Sequence, residues 1–213
     1  MKIDFNLYLI TDRKLLSDRC SLTAAVEQAL KGGVKAVQLR EKDLGAGELL
    51  VLAHKIRKLT LKYDAKLFIN DRFDIALAVN ADGVHLTQNS MPVNAVRRTV
   101  KDRLMIGVST HSLKEAKEAQ RGGADLVTLG PVYRTPSKLR YGAPLGIDNF
   151  RRINKKISVP VFALGGVKIK SIEEVQRAGA YGIAVISEIF RADNIRKRTE
   201  EIIQILSTDR ENK

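Results

Sequence analysis

The chain alternates between short apolar runs and longer stretches in which apolar residues recur every three or four positions. Short runs of aliphatic and β-branched residues are typical of buried strands, and the longer spacing is typical of helices that bury one face. The pattern predicts eight strands: Leu7–Thr11, Ala36–Arg40, Leu67–Asn70, Gly83–Leu86, Met105–Ser109, Leu126–Gly130, Val159–Leu164 and Gly182–Ser187. Helical spacing is clearest in Ser21–Lys31, Gly47–Leu61 and Ser112–Arg121.

Capping residues and glycines mark the ends of the predicted helices. Ser21 precedes the first helix, and Ser112 with Glu115 and Ser171 with Glu174 have the spacing of capping boxes. A glycine-marked helix end leads into a strand at four places, about 40 to 55 residues apart. This spacing indicates a weak internal repeat of two strand and helix steps.

The strand count decides the predicted fold. Eight parallel strands joined by helices close most naturally into a (β/α)8 TIM barrel of the α/β class. A doubly wound open sheet would need a different strand count, and no G-x-G-x-x-G follows the first strand. At 213 residues, the whole chain, 1–213, is expected to form a single barrel domain.

Composition and charge narrow the function classes. The chain has no apolar run of membrane-spanning length and no basic-then-apolar leader, so a cytoplasmic protein without a membrane partner is expected. Its one cysteine, Cys20, cannot form an internal disulfide. The net charge of +13 is spread over predicted helices and aromatics make up only 5%, which argues against a nucleic-acid partner. A positive field also attracts small phosphorylated substrates.

Polar residues and glycines follow nearly every predicted strand. They are Thr11 with Asp12, Gln38 with Arg40, Asn70 with Asp71, His85, Ser109 with His111, Gly130, Gly165 with Gly166, and Ser187. Each has an ordinary structural alternative, such as a helix cap, a hydrogen-bonded core histidine or a turn residue. Because active sites of TIM barrels lie at the carboxyl ends of the strands, their convergence on one rim predicts an enzyme.

Three segments at this rim suggest how a phosphorylated ligand would be held. In the second strand, Gln38, Arg40 and Lys42 occupy every second position, so their side chains share one face. An amide that can bind a heterocycle and two cations that can bind phosphate would then lie together. The alternative is an edge strand with a solvated basic face. The glycines in Val161–Val167 are suited to a phosphate site, although a glycine pair is also a common tight turn. The loop Gly130–Gly146 is basic and long enough for a lid, with a disordered surface loop as the alternative.

Taken together, the motifs resemble those of the thiamine-phosphate synthase family and its TenI-type relatives. The resemblance runs in order through nearly the whole chain, in the strings YLITDR (8–13), QLREK (38–42), FINDR (68–72), ADGVHL-x-Q (81–88), GVSTHS (107–112), GPVYRTPSK (130–138), PLG (144–146), ALGGV (163–167) and AVIS (184–187). It implies an enzyme of thiamine biosynthesis that condenses hydroxymethylpyrimidine diphosphate with thiazole phosphate, or its carboxylate, and releases pyrophosphate. Phosphorylated small molecules are then the expected partners, and a homodimer is left open.

The resemblance also implies site residues by position. Hydroxymethylpyrimidine diphosphate would be held by Gln38, Leu39, Arg40, Glu41, Lys42, Asn70, Ser109 and Lys138. Thiazole phosphate would be held by Thr135, Pro136, Ser137, Gly166, Ile186 and Ser187. Asp71 would bind Mg²⁺, and Arg40, Lys42 and Lys138 would stabilise the departing pyrophosphate.

One position departs from the synthase pattern. The synthases usually carry Asp as a second Mg²⁺ ligand where this chain has Ser90, and no acidic residue occurs between Gly83 and Lys101. Mg²⁺ is therefore expected to bind weakly, or not at all if the chain is a TenI-type thiazole tautomerase, in which His111 would be the acid/base. A non-catalytic thiamine-phosphate-binding protein and a sugar-phosphate epimerase stay open as further alternatives.

Overall fold

The computed structural model describes residues 3–17, 20–135 and 143–208. Eight parallel strands pair in chain order and the eighth closes on the first, which confirms the predicted (β/α)8 barrel. The strands are β1 Leu7–Ile10, β2 Ala36–Leu39, β3 Lys66–Asn70, β4 Gly83–Leu86, β5 Met105–Thr110, β6 Leu126–Leu129, β7 Val161–Leu164 and β8 Gly182–Val185. Within these residues, no helix combines the length and apolar character needed to cross a bilayer.

Helices follow the strands and cover the outside of the barrel. They are α1 Leu22–Lys31, α2 Ala46–Lys62, α3 Phe73–Ala78, α4 Val93–Val100, α5 Leu113–Arg121, α6 Ile147–Asn154, α7 Ile172–Arg177, α8 Ser187–Phe190 and α9 Ile195–Thr208. Short 3₁₀ turns occupy Arg13–Leu15 and Ile169–Ser171. The seventh strand begins at Val161 rather than Val159, because Pro160 has no N–H to donate to a neighbouring strand.

The predicted helix caps are confirmed at two of three places. The hydroxyls of Ser21 and Ser112 accept from the third backbone N–H that follows each of them, at 3.2 Å in both cases. Only the serine half of the box at Ser112 forms, because the Glu115 carboxylate accepts from the His111 N–H instead of the Ser112 N–H. The capping box at Ser171 and Glu174 is wrong. Ser171 ends a 3₁₀ turn and accepts from the Lys168 backbone instead, while Glu174 accepts from a tyrosine hydroxyl of another loop.

The interior of the barrel is filled by rings. Tyr8 packs edge-on against Phe68 and Phe162, with ring centroids 5.3 and 6.0 Å apart, and Phe5 closes the amino end beneath them. Gly83 makes room for this layer, since a Cβ there would lie 2.3 Å from the Phe68 ring. Burying each ring stabilises the fold by about 1.5–3 kcal/mol. Because these rings fill the barrel at the amino ends of the strands, a ligand can enter only at the mouth, which the carboxyl ends of the strands form.

An aspartate and arginine pair recurs at the amino ends of the strands. Asp82, before β4, bonds Arg57 at 2.7 Å and accepts from a backbone N–H of β3 at 2.8 Å. Asp125, before β6, bonds Arg97 and accepts from a backbone N–H of β5 at 2.6 Å. The internal repeat expected from the sequence therefore has a structural counterpart, two strand and helix steps apart, on the face opposite the mouth.

Candidate active site

Alternation along the strands directs a set of polar side chains into the mouth. Asn70 pairs in register with His85, and Ser109 pairs with Thr128, so each pair points to the same side of the sheet. Tyr8 and its ring neighbours mark that side as the barrel interior. Of the predicted substrate contacts, Gln38, Asn70 and Ser109 thus share one cavity above the aromatic layer.

A chain of hydrogen bonds crosses the barrel beneath the mouth. Gln38 Nε2 donates to the Tyr8 hydroxyl at 3.3 Å, and that hydroxyl lies 3.3 Å from His85 Nδ1. On the other side of the ring, His85 Nε2 lies 3.0 Å from Ser109 Oγ. Gln38, Tyr8 and His85 are at most 1% exposed, so protein groups alone decide how these polar atoms are arranged.

The electrostatics of the chain keep its histidine neutral. Burial, and to a smaller extent the nearby Arg40 cation, lowers the pKa of His85 from 6.5 to about 3. Burial raises the pKa of Tyr8 well above its usual value. Both groups are therefore uncharged near pH 7 and act through hydrogen bonds.

Two buried polar atoms face the same cavity without a hydrogen-bond partner among the residues that the structure describes. They are Asn70 Oδ1 and Thr128 Oγ1. A buried polar atom without a partner is costly, so these positions favour a polar ligand or water. Asn70 is a candidate from the sequence, whereas no motif includes Thr128, whose inward position is visible only once the strands are paired.

The two cations at the end of the second strand have no acidic partner among the described residues. Arg40 is half-buried and held by its backbone N–H, which donates to Thr11 Oγ1 at 2.8 Å. Lys42 is exposed. Neither side chain forms an ion pair with any residue in the described ranges, although fourteen such pairs occur elsewhere in them. Their charge is therefore available to an anion.

Two members of the same stretch point elsewhere. The Leu39 side chain is fully buried between the barrel and its helices. The Glu41 carboxylate accepts from Thr11 Oγ1 at 2.7 Å and from the Arg13 side chain at 3.1 Å, so it joins the loops after β1 and β2. The side chains of Leu39 and Glu41 thus point away from the mouth, and their predicted contact with substrate is left to their backbone atoms.

Asp71 and Ser90 occupy the positions expected for metal ligands. Asp71 is exposed and has a left-handed backbone, with φ of 66°, while its N–H donates to the His85 carbonyl at 2.9 Å. Ser90 is tied to Thr87 by its side chain. No group of three or more His, Cys, Asp or Glu suited to a metal occurs in the described part of the chain. Asp71 fits a Mg²⁺ that arrives with phosphate oxygens and keeps several waters, rather than a preformed metal site.

The predicted phosphate site lies at the ends of β7 and β8, which are neighbours in the sheet. Gly165 and Gly166 have φ of 92° and 69°, a region that favours glycine. A Cβ on Gly166 would lie 2.8 Å from backbone and side-chain atoms of Tyr133, so the loop after β6 covers this turn. Half-buried Ile186 and Ser187 follow the end of β8, as expected for the same site.

The loop between β6 and α6 is fixed at both ends. Leu145 N donates to Pro131 O at 2.8 Å, and Gly146 N donates to Val132 O at 3.0 Å. The loop therefore leaves and returns at the same point, beside the phosphate site. Thr135 is at its described edge, whereas Pro136, Ser137 and Lys138 lie outside the described residues and stay predictions from the sequence.

His111 has a defined orientation beside this loop. Its Nδ1 bonds the carbonyl oxygen of Gly130, and its backbone N–H donates to Glu115 at 2.8 Å. Because a carbonyl oxygen can only accept, the Nδ1 atom must carry the proton. In the neutral ring, Nε2 then has the lone pair that a general base would use.

Comparisons with known proteins were consistent over nearly the full length. Residues 7–189 match the family described as thiamine monophosphate synthase. The thiamine-phosphate synthase of Clostridium novyi is 42% identical over 96% of this chain and 100% of its own length. The thiamine-phosphate synthase of Pyrococcus abyssi is also 42% identical, over 94% of each chain. The solved thiamine phosphate pyrophosphorylase of Pyrococcus furiosus superposes with a TM-score of 0.87 at 38% identity, covering 96% of each chain. The chain therefore belongs to the thiamine monophosphate synthase family.

Proposed function

We propose that this protein is a transferase of thiamine biosynthesis that joins hydroxymethylpyrimidine diphosphate to thiazole phosphate, or its carboxylate, and releases pyrophosphate. The observation that carries the proposal is the charge of Arg40 and Lys42, which forms no ion pair with a described residue, beside the neutral polar side chains of Gln38, Asn70 and Ser109 in the mouth. A diphosphate attached to an uncharged heterocycle is complementary to that arrangement. The whole chain is proposed to act as one barrel domain.

The reaction needs charge stabilisation more than it needs a nucleophile. The bond between the pyrimidine methylene carbon and the diphosphate oxygen breaks, and the thiazole nitrogen forms the new bond to that carbon. Where the thiazole carries the carboxylate, that group leaves as CO2. Arg40 and Lys42, with Lys138 from the loop, would stabilise the negative charge that develops on the departing pyrophosphate. Gln38, Asn70 and Ser109 would orient the pyrimidine ring.

The second substrate would lie at the ends of β7 and β8. Thr135, Gly166, Ile186 and Ser187, with Pro136 and Ser137 from the loop, are proposed to hold thiazole phosphate. The turn at Gly165 and Gly166 supports this, because neither residue has a side chain of its own and the backbone N–H groups of such a turn suit an anion. In the barrel, β1 separates β8 from the cations at the end of β2, so the two phosphate groups would bind at different strand ends.

Asp71 is the residue proposed to hold Mg²⁺, which when bound would neutralise part of the pyrophosphate charge. Its exposed carboxylate and its left-handed backbone place one ligand at the rim beside Asn70. One carboxylate together with substrate phosphates is a common Mg²⁺ environment.

A second candidate function, thiazole phosphate carboxylate tautomerase, is favoured by one observation. The bond from His111 to Gly130 leaves His111 Nε2 as a base, which a proton transfer would use and the condensation would not. The uncharged Ser90 is compatible with this reaction, which needs no diphosphate chemistry.

One experiment separates the two functions. Purified protein is given hydroxymethylpyrimidine diphosphate and thiazole phosphate carboxylate while Mg²⁺ is titrated, and pyrophosphate release and thiazole isomerisation are followed separately. We expect pyrophosphate release coupled to the formation of thiamine phosphate, and we expect Lys42→Ala to abolish it. Lys58→Ala should retain this activity and is the control, because Lys58 is an exposed lysine on α2 without an ion pair to a described residue. Isomerisation without pyrophosphate release, abolished by His111→Ala, would overturn the synthase proposal in favour of the tautomerase.

A further inference from the structure

Tyr8 and His85 stand between two of the proposed substrate contacts without belonging to them. Tyr8 is 0% exposed and His85 is 1% exposed, so their polar atoms serve groups inside the barrel. One side of this pair bonds Gln38 and the other bonds Ser109. The pair therefore connects two of the groups on which the proposed pyrimidine site depends.

One direction of these bonds leaves none of the buried donors unpaired. An amide nitrogen can only donate, so Gln38 Nε2 uses a lone pair of the Tyr8 hydroxyl. The buried Tyr8 hydrogen is then paired only if His85 Nδ1, the other contact of that hydroxyl, accepts it. A neutral imidazole that accepts at Nδ1 carries its proton at Nε2.

The direction continues to the far side of the barrel. His85 Nε2–H donates to Ser109 Oγ, 3.0 Å away, which occupies a lone pair of that oxygen and leaves its own hydrogen unused. Ser109 is accordingly a donor toward the mouth. At the other end of the chain, Gln38 has committed an N–H to Tyr8 and retains its Oε1 as an acceptor.

Packing holds the two rings in these positions. The Tyr8 ring is enclosed by Phe5, Phe68 and Phe162, with centroids within 6.0 Å. His85 depends on the glycine beside it in β5, because a Cβ on Gly107 would lie 2.6 Å from Nδ1. Neither ring has space to rotate without displacing these neighbours.

We propose that Tyr8 and His85 are positioning residues that set the hydrogen-bonding pattern of the mouth, with Ser109 as donor and the Gln38 carbonyl as acceptor. The matching ligand has a ring nitrogen that accepts next to an amino group that donates, as in a 4-aminopyrimidine. This inference rests on the proposed function, since the diphosphate substrate carries that ring. Hydrogen bonds that ran in the opposite direction would favour a ligand with a ring carbonyl beside a ring N–H.

The tautomer of His85 is the direct test. The chain has three histidines, so nitrogen NMR of histidine-labelled protein is assigned by comparison with His54→Gln, His85→Gln and His111→Gln. We expect the His85 signals of a neutral ring with the proton on Nε2, and a mixture of tautomers in Tyr8→Phe. A proton on His85 Nδ1 in the wild-type protein, or a pattern unchanged by Tyr8→Phe, would overturn the proposal.

Binding shows whether the pattern serves a ligand. Titration with hydroxymethylpyrimidine, which has no phosphate, is expected to weaken roughly tenfold in Tyr8→Phe, the effect of one net hydrogen bond, while thiazole phosphate binding stays unchanged. Tyr63→Phe is the matched control, because that hydroxyl bonds Glu27 on the outer helices. A lower melting temperature in Tyr8→Phe with undiminished pyrimidine affinity would reduce Tyr8 to a structural role and overturn the proposal.

These readouts are separate from turnover. A protein that releases no pyrophosphate, yet has the Nε2 tautomer and Tyr8-dependent pyrimidine binding, would refute the synthase function and support this inference. A protein that makes thiamine phosphate with His85 protonated at Nδ1 would do the reverse.

Discussion

The hydroxyl oxygen of Ser90 lies 2.7 Å from the backbone nitrogen of Thr87 and 3.1 Å from the Thr87 hydroxyl. Ser90 thus closes the turn after β4 with its side chain, at the position where the resembling synthases usually carry an aspartate. Since Asp71 is the carboxylate that remains at this rim, Ser90 bears directly on how strongly the protein would bind Mg²⁺.

Replacing Ser90 by aspartate is expected to lower the Mg²⁺ concentration needed for turnover by several-fold. An aspartate can keep the bond to the Thr87 backbone, because Asp and Ser close the same kind of turn, and it adds a second carboxylate at the rim. The measurement is pyrophosphate release as a function of Mg²⁺ concentration. Ser90→Asn keeps the shape without the charge and serves as the control; an equal Mg²⁺ requirement in both variants would contradict this explanation.

Replacing Arg40 by alanine is expected to weaken hydroxymethylpyrimidine diphosphate binding roughly ten- to hundredfold, which is the range for losing hydrogen bonds to a charged group. Thiazole phosphate binding should change little, because its proposed site is at the ends of β7 and β8, which β1 separates from β2. Both affinities are measured by calorimetry. Arg98→Ala, an exposed arginine on α4 without an ion pair to a described residue, is the control. Equal losses for both ligands would refute the assignment of Arg40 to the diphosphate.

Much of this arrangement could be predicted from the sequence because strand alternation has a period of two. That period places Gln38, Asn70 and Ser109 on the inner face as soon as the strands are recognised. Tyr8 was missed because its aromatic ring fits an apolar strand equally well. The available signal was its hydroxyl at an inward position of β1, next to the strand that carries Gln38.

Other features depended on contacts that no local pattern encodes. Glu41 lies in the same motif as Arg40, yet its carboxylate is taken up by Thr11 and Arg13 of another strand end. The spacing of Ser171 and Glu174 fits a capping box, but a 3₁₀ turn places the Ser171 hydroxyl on the wrong side of the helix start. For Glu41 a tertiary contact prevailed over the local preference, and for Ser171 a competing local turn did.

Acid is expected to destabilise the protein through His85. In the folded protein the pKa of His85 is lowered to about 3, against 6.5 for the unfolded chain, so only the unfolded state takes up this proton between those values. The stabilisation from the neutral ring is therefore complete above pH 6.5 and is lost as the pH falls toward 3. For one group the slope is at most about 1.4 kcal/mol per pH unit.

Urea unfolding between pH 7 and pH 4 tests this expectation. The free energy of unfolding of the wild-type protein should fall more steeply with acid than that of His85→Gln, whereas His54→Gln, at an exposed site on α2, should match the wild type. Parallel curves for the wild type and His85→Gln would show that His85 does not carry the effect.

The aspartate and arginine pairs at the amino ends are expected to contribute to stability and not to catalysis. Removing the Asp125 carboxylate leaves the Ile106 N–H without its partner and removes the charge partner of Arg97, which keeps its bonds to backbone carbonyls, at a cost of about 1–3 kcal/mol. We expect Asp125→Ala to lower the free energy of unfolding in urea by this amount while kcat and KM of the folded enzyme stay the same, because the packed aromatic layer separates this face from the mouth.

Asp82→Ala should behave in the same way, since Asp82 makes the equivalent contacts one repeat earlier. Asp102→Ala is the control, because this carboxylate is exposed and makes no hydrogen bond to a residue in the described ranges. A fall in kcat without a loss of stability in Asp125→Ala would mean that the two ends of the barrel are coupled. The division of the barrel into a stabilising end and a reactive end would then be wrong for this protein.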